Sequence, residues 1–118
     1  MASHLAFDHA VILVNDLDKA STDYRVLGFN VFYGGKHADG KTHNALIVFR
    51  DGTYIELLAP TALATVAKVD PNDHNSFLFM FLKGEGFGGY ALLSLNLQTD
   101  VEGMQRRSLN VHLRPLGG

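Results

Sequence analysis

Between Leu5 and Pro60 one helix-forming stretch is set among four strand-forming ones, and this order narrows the available folds more than any other feature. Leu5 to Val14 is apolar, β-branched in its second half, and reads as a strand. Asn15-Asp16 punctuates it. Asp16 is suited to N-cap a helix from Leu17 to Leu27, because its carboxylate can accept from orphan N–H groups of the first turn. Leu17, Ala20, Tyr24 and Leu27 then form a single apolar stripe. Gly28 follows as a residue able to end the helix in a left-handed conformation. Asn30 to Tyr33 reads as a short strand closed by Gly34-Gly35, and a polar loop from Lys36 to Lys41 leads into a strand from Thr42 to Phe49. Asp51-Gly52 predicts a type I′ hairpin turn, which needs positive φ at both central residues. Thr53 to Leu58 is the partner strand, and Pro60 ends it. The predicted order is β-α-β-β-β, with the last two strands antiparallel neighbours.

Beyond Pro60 the pattern is looser. Thr61 to Asn75 is irregular or helical around Ala62 to Val69, and Phe77 to Leu82 is apolar enough for a strand or a buried helix. Lys83 to Gly89 is glycine-rich and reads as a flexible linker. The strand-then-helix pattern then begins again. Asp8-His-Ala-Val-Ile-Leu-Val-Asn15 aligns with Gly89-Tyr-Ala-Leu-Leu-Ser-Leu-Asn96, matching Ala10 to Ala91 and Asn15 to Asn96 and setting Tyr90 against His9. A helical stretch from Asp100 to Arg107 and Leu109-Asn-Val111 continue the second copy, which stops near its second strand. The expected fold class is α+β: a βαβββ module with a curved mixed sheet, followed by an incomplete second βα(β) module. One domain spans 1–118, with the complete module at 5–60, a linker and apolar segment at 61–88, and the partial module at 89–118. Open sheet edges must be covered. The expectation is either a homodimer that pairs through those edges or a piece of a longer two-module protein.

The 118 residues suffice for one core. A net charge of -2 with scattered Lys and Arg gives no footprint for nucleic acid. No apolar run approaches the ~20 residues that span a bilayer. The first residues lack both a basic n-region and an apolar h-region. With no cysteine, disulfides, thiolate metal sites and a Cys nucleophile are excluded, and a cytoplasmic location is expected.

Two residues stand out within apolar strands. His9 shares a strand face with Phe7, Val11 and Leu13, and Glu56 alternates with Tyr54 and Leu58. An imidazole and a carboxylate on neighbouring strands make half of a first-row metal site. The bland alternatives are a core histidine bonded to a carbonyl or to Asp8, and an edge glutamate facing water. His43 and Asn44 point to opposite faces of their strand, so one of them can bind a polar substrate group. His37, on the preceding loop, is placed to act as a general base near neutral pH, or is a solvated loop residue. Gly34-Gly35 reads as a bulge or turn. Tyr90 is a pocket hydroxyl or a packing residue. His74 and His112 have no partner visible in sequence. No Gly-x-Ser-x-Gly setting supports a hydrolase triad.

Phe7-Asp-His-Ala-Val11, Gly34-Gly-Lys-His37, Gly40-Lys-Thr-His-Asn-Ala-Leu46 and Thr53-Tyr-Ile-Glu-Leu57, in this order, resemble the glyoxalase-like domain family. That family belongs to the vicinal oxygen chelate superfamily, with glyoxalase I, extradiol dioxygenases, and fosfomycin- and bleomycin-resistance proteins. The resemblance covers residues 5 to 60 well and 77 to 112 loosely. It implies that two βαβββ modules pair and that strands 1 and 4 of each supply ligands to one divalent metal. Here it gives His9 and Glu56 as metal ligands, with Mn, Fe, Ni or Zn as the ion. The second-module strand-1 position falls on Tyr90, and the second strand 4 is missing. Two copies could supply two His9 and two Glu56. The implied function is a small-molecule enzyme of lyase, isomerase or dioxygenase type. Glu56 and His37 are its catalytic groups, and His43, Asn44, Tyr54 and Tyr90 its substrate-binding groups. The alternatives are a metal-free binding or resistance-type module, walled by Phe7, Phe32, Tyr54 and Phe49, and a paralogue without catalysis.

Overall fold

The structure is a computed structural model and describes residues 5–73 and 77–111. His74 and His112 lie outside the described residues. Strand β1 (Ala6–Leu13) leads into helix α1 (Leu17–Val26), then β2 (Phe32–Lys36), β3 (Thr42–Val48) and β4 (Tyr54–Pro60). A short helix α2 (Leu63–Ala67) and a 3₁₀ segment (Phe77–Lys83) follow, then β5 (Gly86–Leu93) and helix α3 (Leu97–Arg106). One mixed sheet holds all five strands in the order β2-β3-β4-β1-β5. β1 runs parallel to β4 and antiparallel to β5, and the other pairs are antiparallel. The expected α+β fold, with a complete βαβββ module and a curved mixed sheet, is what the chain forms.

Local chemistry explains the start of this path. Asp16 Oδ1 accepts from Lys19 N at 3.0 Å, and Gly28 adopts φ +102° just past the helix. Leu17 and Ala20 are buried, and Tyr24 packs beside them against Ala45, Ile47, Leu57 and Ala59. Leu27, expected on the same stripe, is exposed because the helix ends one residue earlier and Gly28 turns the chain away. A second cluster lies on the opposite, concave face. There Leu13 and Leu58 meet Leu78 and Phe81, with Val66, Val69 and Met80 around them. Residues between β4 and β5 therefore cover one half of the concave face and leave the other half open.

Several local expectations are corrected. β2 runs through Gly34-Gly35 instead of stopping there. Gly52 has φ +89° but Asp51 has no positive φ, so the turn is not type I′. Gly52 N instead bonds Phe49 O at 3.0 Å, and Asp51 Oδ1 accepts from Thr53 N, so Gly52 is the left-handed residue after an ordinary turn. Of the two readings of the apolar run from Phe77, the buried helix holds, as a 3₁₀ segment that buries Leu78 and Phe81. β5 begins inside the expected glycine linker, where a Cβ on Gly88 would stand 2.8 Å from Leu13 Cγ. Glycine there serves close packing.

The repeat is real in structure but shifted by one residue. β1 starts at 6 and β5 at 86, α1 at 17 and α3 at 97, and their caps are Asp16 and Asn96. Gly28 is matched by Ser108, which also has positive φ. The offset is therefore 80 throughout, and the counterpart of His9 is Gly89, not Tyr90. Bulges agree with this. The pairing Phe7↔Leu92, His9↔Ala91 leaves Asp8 unopposed in β1, and Val11↔Gly89, Ile12↔Phe87 leaves Gly88 unopposed in β5. Asp8 and Gly88 are counterparts. The matches of Ala10 to Ala91 and Asn15 to Asn96 were coincidental, since helix caps and bulges carry the register.

Candidate active site

The open half of the concave face is built from three adjacent strands. Cross-strand partners share a face, so Leu46↔Glu56↔Val11 and Val48↔Tyr54↔His9 form two rows across it. Phe32 extends the first row on β2. Glu56 is the centre. Its side chain is only 12% exposed, and a carboxylate at that depth must have partners. Asn44 Nδ2 donates to Oε2 at 2.8 Å, and His9 Nε2 lies 3.4 Å from Oε1. His37 Nε2 is 4.0 Å from Oε2. The bland reading of an edge glutamate facing water does not hold, because β4 is an inner strand.

Each partner is itself held. His9 Nδ1 bonds Asp8 Oδ2 at 2.7 Å, and its ring stacks on Tyr54 with centroids 4.4 Å apart and planes within 7°. Tyr54 is pushed above the ordinary tyrosine range by burial first, then by the charges of Asp8 and Glu56 and its hydrogen bond to Asp8. His37 Nδ1 bonds the hydroxyl of Thr42, which is buried at the start of β3. His37 N also donates to Thr42 O at 2.9 Å, so this exposed loop residue is pinned to the strand.

Asn44 reaches Glu56 because β2 makes room. Tyr33↔Ala45 and Gly35↔Asn44 leave Gly34 unopposed in β2. A Cβ on Gly34 would fall 2.0 Å from Asn44 Oδ1. The Gly34-Gly35 pair, read from sequence as a bulge or turn, is a bulge that admits the Asn44 carboxamide.

The structure thus brings together His9, His37, Asn44, Tyr54 and Glu56. It does not bring His43 or Tyr90 to them. His43 pairs with Ala59 and so faces α1, where Tyr33 Oη is 3.4 Å from its Nδ1. Tyr90 pairs with Ala10 on that same side and is 65% exposed. Sequence reasoning offered Asp8 only as a partner for a core His9, a bond the structure contains, and Gly34 only as a bulge or turn, without placing either at the site. Both are bulge residues, and strand alternation hides them.

For a metal, His9 Nε2 and Glu56 Oε1 are close enough to share one ion, and a carboxylate on the far ring nitrogen is usual for metal-bound histidine. Three protein ligands are the minimum for such a centre. His37 addresses the other oxygen of Glu56, and among the described residues no group of three or more His, Asp or Glu is disposed to hold an ion. The described residues of one chain do not fit a resident metal on their own. Among the described residues no helix is long and apolar enough to cross a membrane.

Comparison with known proteins bears on the fold. A hypothetical protein from Staphylococcus aureus superposes with TM-score 0.68 at 23% identity, covering 90% of this chain and 43% of that one. Methylmalonyl-CoA epimerase from Mycobacterium tuberculosis gives TM-score 0.63 at 24% identity, covering 86% of this chain and 63% of that one. A Streptomyces coelicolor methylmalonyl-CoA epimerase variant in complex with 2-nitronate-propionyl-CoA gives 0.64 at 24%, over 89% of this chain and 71% of that one. At these identities the likeness is one of fold. The chain spans less than half of the staphylococcal protein and less than two thirds of the mycobacterial epimerase. No curated protein matches it. The glyoxalase-like domain model matches residues 7–117, and the chain therefore belongs to the glyoxalase-like domain family, within the vicinal oxygen chelate superfamily.

Proposed function

We propose that this chain is a small-molecule enzyme module in which Glu56 moves a proton at a carbon next to a carbonyl group. One observation carries the reading. A mostly buried carboxylate on the open half of a concave sheet has a histidine beside each oxygen and an amide fixing its plane. In the forward step Glu56 takes the proton from the carbon, and the electron pair moves into the carbonyl to leave an enolate. His9 or His37 then supplies a proton to the enolate, at the same carbon or at oxygen. The space for substrate lies above His9, whose β5 neighbour is only Ala91. The acyl-CoA analogue held by the Streptomyces epimerase variant makes thioesters the first compounds to try. A cytoplasmic location belongs to the same reading.

A divalent metal enters this reading only through a second set of donors. Two copies pairing through their sheet edges would contribute two His9 and two Glu56, and the ion would then polarise adjacent substrate oxygens. The metal-free alternative, a binding module for an apolar small molecule, is favoured by Phe32 and Val48. They are 61% and 51% exposed on the Glu56 face.

The test is deuterium uptake at the α-carbon of acyl-CoA and free carbonyl acids in D₂O, followed by NMR with and without Mn²⁺, Ni²⁺ or Zn²⁺. Uptake by the wild type that falls about 10²- to 10⁴-fold in Glu56→Gln supports the reading. Equal uptake by the two proteins removes Glu56 from the chemistry. Native mass spectrometry of the same samples reports whether a dimer retains metal.

A further inference from the structure

We infer that Asp8 is a positioning residue for this site: a β-bulge turns its carboxylate onto the His9 face, where it holds the imidazole with Nε2 presented to Glu56. The inference rests on the reading of Glu56 and His9 as the reacting pair.

In a regular strand Asp8 would face away from His9, toward the apolar layer under α1 where Ile12 and Ile55 lie. A carboxylate among those side chains would be costly. Asp8 is instead the unopposed residue between the Phe7↔Leu92 and His9↔Ala91 pairs. A bulge interrupts the alternation and lets consecutive side chains share one side. The 2.7 Å contact between Asp8 Oδ2 and His9 Nδ1 shows the consequence. With Nδ1 committed to Asp8, Nε2 is the ring nitrogen left for the reacting groups, and it is the one 3.4 Å from Glu56. Tyr54 completes the mount. Its ring covers one face of the imidazole and so buttresses His9. The ring is held in its plane by Asp8 and across its plane by Tyr54. The counterpart positions, Gly88 and Gly89, carry neither a carboxylate nor an imidazole, so the second copy lacks this device.

The test is proton–nitrogen NMR of the ¹⁵N-labelled full chain in mildly alkaline buffer. The wild type is expected to show a hydrogen-bonded Nδ1–H resonance that disappears in His9→Gln. Asp8→Ala should lose it. Asp8→Asn, which keeps an acceptor oxygen, and Tyr54→Phe, which keeps the stack, should retain it. If Asp8→Ala does not fold, Asp8→Ser replaces it, since serine is too short to reach Nδ1. Absence of the resonance in the wild type, or its persistence in Asp8→Ala or Asp8→Ser, overturns the inference. Where α-carbon exchange is observed, Asp8→Ala should lower kcat about 10- to 100-fold with little change in KM, and Asp8→Asn should restore part of it. Glu56→Gln separates the two ideas. Exchange that survives in Glu56→Gln while Asp8→Ala loses the resonance sinks the proton-transfer reading and leaves the positioning role standing.

Discussion

Replacing Gly34 by alanine should damage the site through Asn44 alone. The added Cβ would meet Asn44 Oδ1 at 2.0 Å and Cγ at 3.1 Å, while the nearest backbone atom, Asn44 O, stays at an ordinary 3.5 Å. The carboxamide must swing away, and its 2.8 Å bond to Glu56 Oε2 breaks. Hydrogen bonds to charged groups contribute about 1.5–3 kcal/mol net, and Glu56 lies too deep for water to replace the donor fully. A loss of about 1.5–3 kcal/mol is expected, read as a lower denaturation midpoint at constant slope. The decisive comparison is the double-mutant cycle. In Asn44→Ala the obstructing atoms are gone, so the alanine at 34 should cost less than about 0.5 kcal/mol there, giving a coupling of at least about 1 kcal/mol. Gly35→Ala is the control. Gly35 has φ +132° with nothing within 4 Å of its Cβ, so its cost is backbone strain and should be the same in both backgrounds. Equal costs for Gly34→Ala with and without the Asn44 side chain would refute the reasoning.

Three further outcomes follow from the packing and charge. Gly88→Ala should destabilise by about 1–3 kcal/mol by overpacking Leu13, whose Cγ would be 2.8 Å from the new Cβ; chemical denaturation checks it. Leu57→Ala, at a fully buried position between β4 and α1, should cost about 2–5 kcal/mol in the same assay. Tyr54 holds its proton more tightly folded than unfolded, so its stabilising contribution is complete below about pH 10 and is lost as pH rises through its higher folded value. A tyrosinate absorbance titration should show one of the four tyrosines ionising late, and Tyr54→Phe should abolish that component.

Much of the path was legible because it is written in local chemistry. Asp16 before an apolar stripe and Gly28 after it define α1 within the chain itself, and period-two apolar runs define β3 and β4. His9 and Glu56 could be singled out because a titratable group on an apolar strand needs a reason. His43 and Tyr90 went astray for a related cause. A strand's two faces are readable as two sets, but which set meets the site depends on which face α1 covers, and the register of β5 depends on bulges.

By itself, then, the sequence determined the β-α-β-β-β order, the limits of α1 to within a residue and the two residues around which the site is built, since propensity, capping and alternation act over a few neighbours. Tertiary structure alone decided how the strands pair and where alternation breaks. The three unopposed residues, Asp8, Gly34 and Gly88, exist only relative to a partner strand. Two of them shape the surroundings of Glu56: Asp8 comes round to His9, and Gly34 leaves space for Asn44. A bulge is a mismatch between two chains' spacing, and no single strand carries it.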